Sequence, residues 1–253
     1  LVQSGRASYE GLIQLIPRSG GVRECFEARP GNVFCSIDYA ALELCTLAQV
    51  CLSVVGNSRM AEIINETGDP GGLHTALAAK LAGLSEPTPE FIKAAKEKNS
   101  KEANLRQMAK AANFGFPGLM GPVKFVMAKR KEGLQLCVAG GLREVCTERV
   151  TSIGGKPTNS PVCPTCCEVA AGLRQQWLKQ WPEIVQYFNW VNKIEGLKQG
   201  KGYLNTPLTG YKRGGMGASN AANHSFQHLA SVGAKRAFWQ VTSARYRRDR
   251  ESP

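Results

Sequence analysis

Arg106-Gln-Met-Ala-Lys110-Ala-Ala-Asn-Phe114-Gly-Phe-Pro-Gly118 sets a guanidinium, an ammonium and an aromatic ring four residues apart. That spacing stacks the three along one face of a helix. Two cations beside an aromatic suit a nucleotide, because phosphates can meet Arg106 and Lys110 while a base or sugar lies on Phe114. A solvated basic helix face would give the same spacing, so the stretch has to be read with its neighbours.

Upstream, Asn32-Val-Phe-Cys-Ser-Ile-Asp38 bunches Val33, Phe34, Cys35 and Ile37, which predicts a buried strand ending at an acid. Helical apolar spacing follows from Ala41 to Leu52, with Glu43 on its first turn. Strand, acid and helix in that order place a carboxylate at a sheet edge facing a cleft. Asp38 there suits Mg²⁺, which takes one or two carboxylates plus substrate phosphate oxygens; an acid capping a helix is the simpler explanation of the same residue. Residues 1 to 31 read as irregular segments and short strands.

From Asp69 to about Gln199 the pattern is helical with basic faces, broken by a loop-like stretch from about Ala139 to Pro164 with Gly140, Gly141, Gly154 and Gly155. Trp177, Trp181, Tyr187, Phe188 and Trp190 in the next helical segment read as core rather than as a base-stacking platform. After a Gly-rich loop over 200–217, a long helix is predicted over 218–242. Its Asn223 and Gln227 lie one turn apart, where uncharged amides can read the acceptors that all base pairs share in the minor groove. Helix-surface amides would look the same. The stretch over 139–164 reads as an insertion in a helical subdomain.

The 253 residues are 43% hydrophobic, enough to bury a core in one large or two modest domains. Lys and Arg number 32 against 20 Asp and Glu, a net charge of +12 concentrated in 93–110, 124–131 and 235–250. Clustered cations gain free energy by releasing counterions from phosphates, so a polyanionic partner is expected. No apolar run reaches membrane-spanning length and Leu1 to Arg6 lack the order of a secretory signal, so a soluble, intracellular protein with no membrane partner is expected.

Nine cysteines without a signal segment point to thiols or metal ligands rather than disulfides. Cys25, Cys35, Cys45 and Cys51 lie in apolar surroundings and read as small hydrophobes. Cys137, Cys146, Cys163 and Cys166 follow the pattern C-x8-C-x16-C-x2-C, and the Cys163-Pro-Thr-Cys166 knuckle has the spacing of a structural Zn²⁺ site. Cys167 is an alternative to Cys166, and five reduced thiols that bind nothing are the alternative to a metal.

In this order and spacing the segments resemble family A (DNA polymerase I-type) DNA polymerases through nearly the whole chain. Asp38-Tyr-Ala-Ala-Leu-Glu43 is similar to motif A, Arg106 to Gly118 to motif B on the fingers helix, and Asn223 to Gln227 to the palm helix beyond it. Ser4-Gly-Arg6-Ala-Ser8 and Gln14-Leu-Ile-Pro17 resemble the family's Thr-Gly-Arg-x-Ser and Gln-Asn-Ile-Pro signatures, and Leu73-His74-Thr75 resembles its Ile-His-Thr segment. The variant around Phe114 most resembles phage members.

The resemblance implies an α+β fold: an incomplete polymerase palm, antiparallel sheet with helices, over residues 1–62 and 200–253, and a mostly helical fingers subdomain over 63–199 with the Cys-rich insertion at about 137–167. It implies transfer from a dNTP to a primer 3′-hydroxyl under two Mg²⁺ ions, in replication or repair, in the cytoplasm of a bacterial or phage-infected cell. Asp38 and the Tyr39 carbonyl would hold metal, and Glu43 would sit against the sugar and exclude a 2′-hydroxyl. His74, Arg106 and Lys110 would bind the triphosphate, Lys110 also protonating pyrophosphate, and Phe114 would pack on the nucleotide. Arg6, Gln14, Asn223 and Gln227 would contact primer–template DNA. Replication-protein partners are not specified.

Two positions depart from the family pattern. Cys45 stands where motif A ends in arginine, and Gly118 stands at the motif B tyrosine, which implies a pocket more open or differently lined. Motif C, a His-Asp-Glu carrying the second metal-binding aspartate, is expected after the last helix and does not occur by Pro253, so this polypeptide alone is expected to have little or no polymerase activity. Thumb and exonuclease domains would lie upstream. A catalytically dead DNA-binding remnant is the alternative, and an RNA-polymerising relative is disfavoured by Glu43 and Asn113-Phe114-Gly115.

Overall fold

Ser100 sits at φ −72°, ψ 157°, outside helical geometry, and its Oγ accepts a hydrogen bond from Ala103 N at 2.9 Å. The cap satisfies one of the free donors of the first turn and starts the helix at Lys101. Pro117 lies in the short turn that follows, where its missing N–H cannot continue the ladder. The helix between them carries Arg106, Lys110 and Phe114.

The structure is a computed structural model that describes residues 21–34 and 37–251. The helices of the first half are α1 Leu42–Val55, α2 Arg59–Thr67, α3 Gly72–Leu81, α4 Pro89–Ala94, α5 Lys101–Gly115, α6 Pro122–Lys131 and α7 Leu136–Ala139. A hairpin, β1 Val150–Ile153 and β2 Lys156–Val162, leads into α8 Pro164–Gln180 and α9 Pro182–Asn192. A second hairpin, β3 Gly202–Asn205 and β4 Lys212–Met216, leads into α10 Ala218–Glu251. About 60% of the chain is helical with two small antiparallel two-stranded sheets, an α+β class.

The core runs along α3, α5, α8 and α9. Leu73, Ala76, Leu77, Ala78 and Ala79 of α3 and Met108, Ala109, Ala111 and Ala112 of α5 are buried, and the alanines among them let the two helices lie close. Gly115 does the same between α5 and α6, since a Cβ there would sit 2.8 Å from the Phe125 ring. Trp177 and Trp181 are fully buried. At about 25 cal/mol per Å², removing roughly 200 Å² of one indole from water is worth about 5 kcal/mol. Pro182 pushes Trp181 to φ −120°, ψ 73°, so α8 and α9 are two helices rather than one. α1 packs on α9 and on the first half of α10, whose far half carries the exposed Phe238, Trp239 and Tyr246.

Several sequence expectations need correction. Asn32 to Asp38 is not a buried strand. Its described residues are irregular, with Val33 89%, Phe34 70% and Ile37 79% exposed, because no described strand runs beside them to complete a ladder. The stretches read as loops over 139–164 and 200–217 each hold a hairpin. Cys25 is exposed and outside the core, whereas Trp190, half-buried, packs against the core's edge by stacking on Tyr187. Cys35, Arg6 and Gln14 lie outside the described residues. No described helix is long and apolar enough to cross a membrane.

Candidate functional site

Four segments enclose a cleft of about 1130 Å³. The turn from Asp38 to Glu43 forms one wall, and Gly71 and His74 at the start of α3 form the next. Lys110 and Phe114 come from α5, and Gln227, Ser231, Lys235, Phe238 and Trp239 line the cleft from α10. Residues from distant parts of the chain therefore converge: Asp38, Tyr39, Glu43, His74, Lys110, Phe114 and Gln227 all face one space. Among the described residues, Asp38 and Glu43 are the acids that line it.

The wall carrying those acids is shaped by Ala41, which adopts φ 47°, ψ 38° at the start of α1. This left-handed conformation turns the chain sharply after Tyr39 and brings Glu43 round beside it. On the opposite side, Asp69 Oδ1 accepts from Gly71 N at 2.8 Å and shapes the entry to α3.

His74 is buried at the floor, its ring centroid 5.5 Å from that of Phe114. Burial, then the Arg106 and Lys110 charges, bring its pKa down to about 4 against the opposing pull of Asp69, so it is neutral at neutral pH. Asn113, fully inside, donates from Nδ2 to Leu73 O at 3.4 Å and bonds His74 Nδ1 at 3.1 Å; its Oδ1 accepts from Trp177 Nε1 at 3.0 Å and Trp181 Nε1 at 3.1 Å. Asn113 lay within the quoted motif, but only the three-dimensional convergence of α3, α5 and α8 shows its role.

Two expected cleft residues stand aside. Arg106 is half-buried and does not line the cleft, its Nε donating to Thr75 Oγ1 at 3.3 Å. Asn223 packs on Gly118, where an added Cβ would overlap the Asn223 amide. The space a larger residue at 118 would need is thus filled by Asn223, and Ser219 Oγ donates to Gly118 O at 2.6 Å. The apolar wall of Phe238 and Trp239 was not read from sequence; its signal was two large aromatics within an otherwise basic helix.

A second centre lies around the first hairpin. The Sγ atoms of Cys137, Cys146, Cys163 and Cys166, all buried, lie within 4.8 Å of one another and could bind a metal ion. Cys137 comes from α7, Cys146 from the loop before β1, and Cys163 caps α8, its Sγ accepting from Cys166 N at 3.4 Å. Cys137 N donates to Cys166 Sγ at 3.4 Å, and the Cys146 and Cys166 sulfurs are 3.7 Å apart. Cys167 is buried but does not join the cluster, so Cys166 is the converging thiol. Burial raises the Cys166 and Cys137 thiols. It opposes ionisation of Cys146 too, but hydrogen bonds from the other three thiols and from Arg149 bring that group to about 7.

No protein-family model and no curated protein sequence matches this chain.

Proposed function

We propose that this chain forms the nucleotide-binding cleft of a template-directed DNA polymerase of the family A type. One observation carries the reading. Asp38, Glu43, His74, Lys110 and Phe114, nominated by motif resemblance from three separated segments, line a single cleft. A triphosphate would meet the Lys110 ammonium and the neutral His74, with Arg106 contributing charge from behind. Phe114, 42% exposed, would offer a face to the base or sugar, and Glu43 would occupy the space a 2′-hydroxyl needs. Gln227 would meet the primer–template minor groove from α10.

An exposed carboxylate beside a backbone carbonyl fits Mg²⁺, which retains waters and shares phosphate oxygens. Asp38 and the Tyr39 carbonyl would hold it, and when bound it supplies charge neutralisation at the transferring phosphate. Lys110 would deliver a proton to departing pyrophosphate.

Titration of the chain with Mg·dATP is the test. Saturable binding that weakens at least about tenfold in Lys110→Ala supports the reading, since one lost charge-assisted contact is worth about 1.4 kcal/mol or more. Absence of saturable binding, or a Lys110→Ala variant equal to wild type, overturns it. Glu43→Ala should admit ATP as well as dATP. A DNA-binding remnant differs in one outcome: primer–template binds, and Mg·dATP does not.

Zinc is the ion we propose for the cysteine centre. Four sulfurs about 2.3 Å from a tetrahedral Zn²⁺ stand about 3.8 Å apart, which the Cys146–Cys166 separation of 3.7 Å matches. Protein purified without chelator should contain about one zinc per chain, released when the four thiols are titrated. Zinc-free protein whose four thiols react freely would remove the assignment.

A further inference from the structure

Asn113 is almost completely buried and uses all four of its hydrogen-bonding capacities. An indole nitrogen can only donate. Two of them, Trp177 Nε1 and Trp181 Nε1, point at the same Asn113 atom, which must therefore be the carbonyl oxygen. The amide orientation is thus fixed without reference to the histidine, an assignment that ordinarily rests on the network as a whole. Rotating it by half a turn would set NH₂ against two N–H groups and carbonyl against the Leu73 carbonyl.

Once the oxygen faces the indoles, the NH₂ group faces Leu73 O and His74 Nδ1. One amide proton goes to each. Nδ1 must then offer a lone pair, and the single ring proton must reside on Nε2. An imidazolium would place N–H against N–H at 3.1 Å. The charged groups that bear on the ring are Arg106 and Lys110, which also oppose a cation, and Asp69, which favours one. No described residue forms a hydrogen bond to His74 Nε2.

We propose that Asn113 is a positioning residue that locks His74 in the Nε2–H tautomer, so that the cleft offers its ligand a neutral hydrogen-bond donor beside the Lys110 ammonium. The proposal rests on the nucleotide reading for the ligand's identity only; the tautomer follows from the hydrogen bonds. Its chemical consequence is a division of labour. His74 can donate to a phosphate oxygen but has no acidic proton to transfer, which leaves proton delivery to Lys110. A neutral donor also adds no charge to the cation pair, so a triphosphate is gripped without a third positive group crowding the buried floor.

The experiment is long-range ¹⁵N–¹H NMR of the histidine rings near neutral pH, joined to Mg·dATP titration across the histidine range. The chain has three histidines, so the His74 signals are assigned by their loss in His74→Gln. The expected wild-type spectrum shows a protonated Nε2 and a bare Nδ1. A wild-type His74 carrying its proton on Nδ1, or charged, overturns the proposal without any variant having to fold. Asn113→Asp keeps one oxygen for the indoles and presents a second acceptor to Nδ1, so it should move the proton to Nδ1 or charge the ring. Nucleotide binding should weaken about tenfold or more and become pH-dependent. An Asn113→Asp variant in which both the tautomer and the pH profile are unchanged also overturns it. If wild-type His74 is the Nε2–H form yet no nucleotide binds, Asn113 keeps its positioning role and the nucleotide reading alone falls.

Discussion

At residue scale, the cleft depends on conformations and charge states that cost stability. Ala41 holds φ 47° at the turn that presents Asp38 and Glu43 on one wall. A β-branched side chain tolerates that region poorly, so Ala41→Val should lower unfolding stability by roughly 1–2 kcal/mol in urea titration. An unchanged midpoint would mean that the turn adopts another geometry. His74 titrates at about 4 in the folded protein instead of near 6.5, mainly through burial. The unfolded chain therefore binds the extra proton over that window, and stability must fall as pH drops from about 6.5 to about 4. The loss from His74 is on the order of 3 kcal/mol. His224, also held down to about 4 by burial and by Arg213 and His228, acts in the same direction. Acid melts of His74→Phe should show a shallower pH dependence than wild type. Equal slopes would refute a buried neutral His74.

At the scale of elements, α7, the loop before β1 and the start of α8 contribute all four thiols of the cysteine centre, which flanks the β1–β2 hairpin. The hairpin carries little apolar surface, with Val162 its only fully buried side chain, so a metal would contribute most of its stability. Chelation should expose the backbone amides of 150–162 to hydrogen exchange while those of α5 stay protected. Equal loss in both regions would show that the corner is not an independent unit. This hairpin also shows where the sequence was under-read. Gly154 and Gly155 have φ 55° and 76°, and Ile153 pairs with Lys156, the two-residue turn that a Gly-Gly pair favours. The glycines were visible, but their strands are short and polar, and pairing is a non-local property. The helices α1, α5 and α10 were legible because apolar spacing at 3.6 residues is local. The Asn32–Asp38 run failed for the opposite reason: bunched apolar residues signal burial only where something covers them.

For the whole molecule, Asp38, Glu43, His74, Lys110, Phe114 and Gln227 were legible as separate motifs, whereas Lys235, Phe238 and Trp239 became visible only once α10 was laid beside α5 and the Asp38 turn, and Asn113 only once α3, α5 and α8 came together. The net charge of +12 is a field, and α10 projects part of it, with Arg247 and Arg248 exposed. Primer–template affinity should decline with salt, and replacing both arginines with alanine should reduce the log–log slope by about two without altering Mg·dATP affinity. A slope unchanged by the pair would place the DNA elsewhere. The distribution of indoles has an optical consequence. Trp177 and Trp181 are sealed in the interior with their N–H groups held by Asn113, whereas Trp239 is 72% exposed on the cleft wall. With the half-buried Trp190 replaced by Phe, emission from the sealed pair reports the integrity of the floor, and collisional quenching by iodide selects the exposed ring, so the chain carries two spectrally separable reporters of the same cleft without an added dye.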